Sequence, residues 1–129
     1  MTDRALNRIC YVEDDLDIQR IVRLSLERVG KMTVEIVGDP TRAVETMIAF
    51  KPDLVMLDWM MPVMDGPAVL RAMRARPETR DLPVIFITAK ASKQELDELR
   101  ALGAAGTISK PFTPTDLPKQ LREIWKTLP

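Results

Sequence analysis

The stretch Asp53-Leu54-Val55-Met56-Leu57-Asp58-Trp59-Met60-Met61-Pro62 decides the fold. Its apolar run has no polar alternation, so it reads as a strand covered on both faces, the kind that belongs to a parallel sheet flanked by helices. Asp58 ends the run, and a carboxylate at the mouth of a buried strand is placed for chemistry. Two further runs end in the same manner. Ile9-Cys10-Tyr11-Val12 closes in Glu13-Asp14-Asp15, and Ala104-Ala105-Gly106-Thr107-Ile108 is followed by Ser109-Lys110-Pro111-Phe112. Three strand ends therefore present acid, acid and base.

Working outward, apolar runs at 9–13, 33–37, 53–57, 83–88 and 105–109 alternate with amphipathic stretches, which gives an α/β domain of five strand–helix units. The first helix is expected from Asp17 to Val29, with Ile18, Val22, Ser25 and Val29 on its inner face and Gly30 as a left-handed C-terminal residue. Asp15 reads as the cap of that helix. Asp39-Pro40 and Gly66-Pro67 open the second and third helices, and Ser92-Lys93-Gln94-Glu95 is a capping box for the fourth, closed by Gly103. The last helix is expected to start after Thr115, which puts Pro118 in the first turn, where its missing donor is tolerated. Leu117, Leu121, Ile124 and Leu128 then form its docking stripe, with Trp125 at the edge.

At 129 residues and 46% hydrophobic content, the chain fits one domain over residues 1–129. Nineteen basic residues balance nineteen acidic ones, so no basic face is expected for nucleic acid or for an anionic membrane surface. Cys10 cannot form an internal disulfide, no stretch approaches the roughly 18 apolar residues of a membrane helix, and the start lacks a signal-peptide core. A cytoplasmic location is expected, and Met1 reads as a natural start. With no histidine in the chain, chemistry falls to carboxylates, lysine and hydroxyls. Clustered methionines at 56, 60, 61 and 64 read as core and loop packing.

Right-handed crossovers gather the carboxyl ends of parallel strands on one edge, where open α/β sheets bind ligands. Glu13, Asp14, Asp58, Thr88 and Lys110 all end strands there. Clustered carboxylates raise one another's pKa unless a cation neutralises them, and an oxygen-only set favours Mg²⁺ over zinc. A cation, an ammonium and a hydroxyl around a carboxylate are the equipment of phosphoryl transfer, with Asp58 as nucleophile.

The fragments Tyr-Val-Glu-Asp-Asp, Val-Met-Leu-Asp-Trp-Met-Met-Pro-Val-Met-Asp-Gly, Pro-Val-Ile-Phe-Ile-Thr-Ala and Ser-Lys-Pro-Phe stand in the order and spacing of response-regulator receiver domains. The chain resembles that family over essentially its whole length. The resemblance implies a flavodoxin-like three-layer fold with a parallel sheet of strand order 2-1-3-4-5. It implies that Asp58 is phosphorylated, that Asp14 binds Mg²⁺ directly and Glu13 through water, and that Asp58 and the Met60 carbonyl complete the ligands. Lys110 would contact the phosphoryl group, Thr88 would sense it, and the Lys110–Pro111 bond would be cis. The implied partners are a sensor histidine kinase or histidine phosphotransfer protein and a downstream protein.

Many receivers carry Tyr or Phe three residues before the lysine; here Thr107 stands there, so an aromatic rotamer switch is absent. Met60 and Lys90 would flank the path of the hydrolytic water. Two other functions remain open to the sequence. A haloacid-dehalogenase-like phosphatase also phosphorylates a strand-end aspartate, but its acid/base two residues on is Met60 here. A pseudo-receiver that only binds partners would have lost acids or the lysine, and all are present.

Overall fold

The computed structural model describes residues 4–89 and 92–128. Strands β1 (Arg8–Val12), β2 (Thr33–Val37), β3 (Leu54–Asp58), β4 (Val84–Thr88) and β5 (Gly106–Ser109) form one parallel sheet of order β2-β1-β3-β4-β5. The flavodoxin-like order expected from the sequence is therefore the order found. Successive side chains on a strand point to opposite faces, which splits the core in two. Ile9, Tyr11, Leu54, Met56, Ile85 and Ile87 pack against α1 (Leu16–Leu24) and α5 (Leu117–Lys126). Cys10, Val12, Val55, Leu57, Val84 and Phe86 pack against α2 (Ala43–Phe50), α3 (Gly66–Arg74) and α4 (Lys93–Ala101). Burial on both sides is why the central strands β1, β3 and β4 read as unbroken apolar runs.

Expected caps hold at three helices: Asp15 accepts from the amides of Asp17 and Ile18, Asp39 accepts from Thr41, and Ser92 and Glu95 close a reciprocal capping box. At the third helix the cap is Asp65, one residue before the expected start at Gly66, because its carboxylate can accept from the Ala68 amide and a glycine has no side-chain acceptor. Asp39-Pro40 first winds a 3₁₀ turn, Pro40–Arg42, before α2 begins. Gly103 ends the α4 segment with φ +96°, the left-handed conformation that its missing Cβ permits.

Four other local expectations are corrected. After Leu24 the first helix widens into a π turn, Ser25–Val29, whose longer repeat rotates the chain, so Leu26 enters the core and Val29 is left half exposed. Gly30 is right-handed, at φ −81°, and Lys31 takes the left-handed conformation instead, at φ 57°. What demands glycine at 30 is space, because a Cβ there would lie 2.8 Å from the Leu26 carbonyl oxygen and 3.0 Å from Pro118 Cβ. The last helix is capped at Asp116 rather than Thr115, with Pro118 still inside the first turn. Trp125 is buried in the core rather than lying at its edge, and its indole N–H donates to the Arg4 carbonyl.

Candidate functional site

Asp58 is the last residue of β3, and the ladder continues one step past it through the Trp59 amide to the Ile87 carbonyl, 3.2 Å. That bond fixes where the Asp58 side chain leaves the sheet. On the neighbouring strand, Glu13 follows β1 immediately, its amide bonded to the Val37 carbonyl at 3.0 Å. The acid expected as a strand terminus is thus one residue beyond the strand, yet still held by it. Glu13 is only 1% exposed and Asp58 is buried, whereas Asp14 opens to solvent. One carboxylate oxygen from each of the three can come within 4.8 Å of the others.

Lys110 joins two of these acids. Its amide is tied to the Thr88 carbonyl at 2.8 Å, and the cis Lys110–Pro111 bond follows directly. Its ammonium donates to Asp58 Oδ1 at 2.9 Å and to Glu13 Oε1 at 3.3 Å. Burial pulls the Lys110 pKa down, but the hydrogen bond to Asp58 and the charge of Glu13 outweigh it and leave it raised. The Glu13 carboxyl is also raised, first by burial and then by the adjacent Asp58 carboxylate. Among the described residues three carboxylates face one ammonium, an excess of negative charge. A hard cation fits this all-oxygen donor set.

Thr88 ends β4 beside β3, with Asp58 registered against Ile87. Met60 lies in the loop after β3 with its side chain 79% exposed, while Met61 is turned into the core. Trp59 is half buried, with its ring centroid 6.3 Å from that of Phe86. Thr107 is exposed on β5. Lys90 lies outside the described residues.

Sequence reasoning gave Tyr11 no role. Its hydroxyl donates to Glu13 Oε1 at 2.9 Å from within the core. The signal was present: a phenol in an apolar strand needs a partner, and residues two apart on a strand share a face. Beside Lys110 runs an apolar groove of about 310 Å³ lined by Ile18, Ile21, Ala89, Pro111 and Phe112.

The family model for the response regulator receiver domain matches residues 9–122. This chain belongs to the response regulator receiver domain family. The structure of the Vibrio cholerae chemotaxis protein CheY4 superposes with a TM-score of 0.85 at 29% identity, covering 93% of this chain and 99% of that one. A signal receiver domain of a histidine kinase from Syntrophus aciditrophicus gives a TM-score of 0.79 at 28% identity, covering 95% and 92%. The phosphate regulon transcriptional regulatory protein PhoB of Escherichia coli is 35% identical over 123 residues, covering 94% of this chain and 52% of PhoB. The receiver thus spans about half the length of the curated relatives it matches. Receiver domains are the phosphoacceptor modules of two-component systems, and this chain carries that signalling role. Among the described residues no helix is long and apolar enough to cross a membrane.

Proposed function

We propose that Asp58 is the phosphoacceptor, taking its phosphoryl group from a phosphohistidine on a sensor histidine kinase or a histidine phosphotransfer protein. The observation that carries this reading is the Lys110 ammonium 2.9 Å from Asp58 Oδ1, at a site that holds two further carboxylates. In the transfer, a carboxylate oxygen of Asp58 attacks phosphorus, the N–P bond breaks, and the imidazole leaves with the electron pair. In the loose transition state the charge of the transferred group is spread over its three equatorial oxygens. Lys110 offsets it from one side, and the Thr88 hydroxyl, at the next strand end, donates to the transferred group.

Glu13, Asp14, Asp58 and the Met60 main-chain carbonyl would hold Mg²⁺, with Glu13 acting through water. Bound there, the cation supplies the positive charge that lets a phosphoryl group approach three carboxylates. The donor reaches Asp58 past Lys110, along the groove that Ile18 and Ile21 of α1 line; Leu16 and Leu24 are also exposed on that helix, and an apolar surface of this kind suits the helix that bears a phosphohistidine. The chain catalyses only its own phosphorylation and dephosphorylation. Its product is a modified surface for a downstream protein, in the cytoplasm. With Thr107 on β5, that surface changes without an inward-turning aromatic ring.

Incubation with acetyl phosphate and Mg²⁺, read by intact mass, tests the assignment. One phosphate should be added to wild type, and none to Asp58→Asn or to wild type in chelator. Equal labelling of Asp58→Asn would overturn it.

A further inference from the structure

Tyr11 is the single tyrosine of the chain, and it is fully buried in β1. The residues of its core cluster are apolar, among them Val22, Met56, Ile87 and Ile108, so shape alone is as well served by phenylalanine. The hydroxyl would be a burden there without a partner, and it donates to Glu13 Oε1 at 2.9 Å. That oxygen also accepts from Lys110 at 3.3 Å, while Glu13 Oε2 accepts from the Asp15 amide at 3.2 Å. Of these three donors Lys110 alone is a long side chain, and it is shared with Asp58. The other two are fixed by a buried ring and by the backbone.

We propose that Tyr11 is a positioning residue of the metal site, whose hydroxyl holds the Glu13 carboxylate in the orientation that a hydrated divalent cation needs, independently of Lys110. The inference rests on the receiver reading above and extends it to a residue outside the acidic cluster. When Lys110 turns to an arriving phosphoryl group, Glu13 Oε1 loses one donor and keeps the other. Partners that orient a ligand from behind commonly matter to affinity nearly as much as the ligand itself.

The test is Mg²⁺ titration of the unphosphorylated protein by calorimetry in wild type, Tyr11→Phe, Glu13→Gln and the double variant. Tyr11→Phe should weaken Mg²⁺ binding about tenfold, and the same change in the Glu13→Gln background should cost nothing further. Because no other tyrosine contributes, the phenol C–O infrared band should shift as Mg²⁺ is added to wild type and stay fixed in Glu13→Gln. That band keeps the question answerable even if Tyr11→Phe folds poorly. Equal affinity in wild type and Tyr11→Phe, an equal loss in both backgrounds, or a band indifferent to metal would overturn the proposal. Absence of Mg²⁺ binding by wild type would instead overturn the metal reading itself, and this inference with it.

Discussion

Gly66 is the first residue of α3, beneath the end of the strand that carries Asp58, and a methyl group has no room there. A Cβ at this position would lie 2.5 Å from the Asp58 carbonyl oxygen, 2.7 Å from Phe86 Cε1 and 3.1 Å from Trp59 Cα. Two of these obstacles are backbone and the third is a ring buried in the core, so none can swing aside as a flexible chain end would. Overpacking of this kind costs about 1–3 kcal/mol, and rigid surroundings place Gly66→Ala near the top, at about 3 kcal/mol. For a domain of this size that lowers the melting temperature by roughly 10 °C. Gly38→Ala is the internal control. Its new Cβ meets only the end of the Gln19 side chain at 3.2 Å and the Glu13 carbonyl oxygen at 3.9 Å, so its loss should stay below about 1 kcal/mol. Thermal melts of the three proteins in chelator compare the effects. The displaced Asp58 carbonyl should also slow labelling by acetyl phosphate in Gly66→Ala. A Gly66→Ala protein that melts within about 2 °C of wild type, or below Gly38→Ala by no measurable margin, would refute the steric reasoning.

Removing the ammonium in Lys110→Met leaves Glu13 and Asp58 buried without their cation and should cost about 3 kcal/mol near neutral pH in chelator, the low end for a broken buried pair because Lys110 keeps 21% side-chain exposure. Burial and Asp58 raise the Glu13 pKa above its unfolded value, so the folded state binds the proton more tightly and gains stability as pH falls through that window; urea midpoints should show the Lys110→Met deficit shrinking on acidification, and a constant or growing deficit would contradict this. The thioether of Met60, 79% exposed two residues after Asp58, offers no strong hydrogen bond to a hydrolytic water, so Met60→Asn should speed phosphate loss after donor removal while leaving Mg²⁺ affinity unchanged. Slower or unchanged decay at equal metal occupancy would count against it.

The sheet was legible because its central strands β1, β3 and β4 are buried on both faces, and because an acid follows β1, an acid ends β3 and a lysine follows β5. Asp58, Lys110 and Glu13 could be set on one edge from the crossover rule alone, and their side chains do meet. What the sequence hid depends on contacts between distant segments. Gly30 carries the signature of a left-handed helix end, yet the approach of Pro118 from α5 is what excludes a side chain there. The π turn before it cannot be read from a 3.6-residue pattern; it leaves Val29, expected on the inner face, half exposed and puts Leu26, which that pattern did not include, in the core. Trp125 was expected at the edge of the last helix; it is buried instead, and its indole N–H finds its acceptor in the Arg4 carbonyl near the other end of the chain. Tyr11 went unassigned for a related reason, since the strand pattern shows only an apolar ring while the contact with Glu13 is made by the hydroxyl.

Asp58 is the residue proposed to carry the phosphate. Borohydride reduces an acyl phosphate on aspartate to homoserine, a permanent mark that peptide mapping can place. After acetyl phosphate and Mg²⁺, the mark should fall on Asp58 alone and should vanish when the metal is chelated. A mark on Glu13 or Asp14, or one on Asp58 that forms equally without metal, would contradict the account.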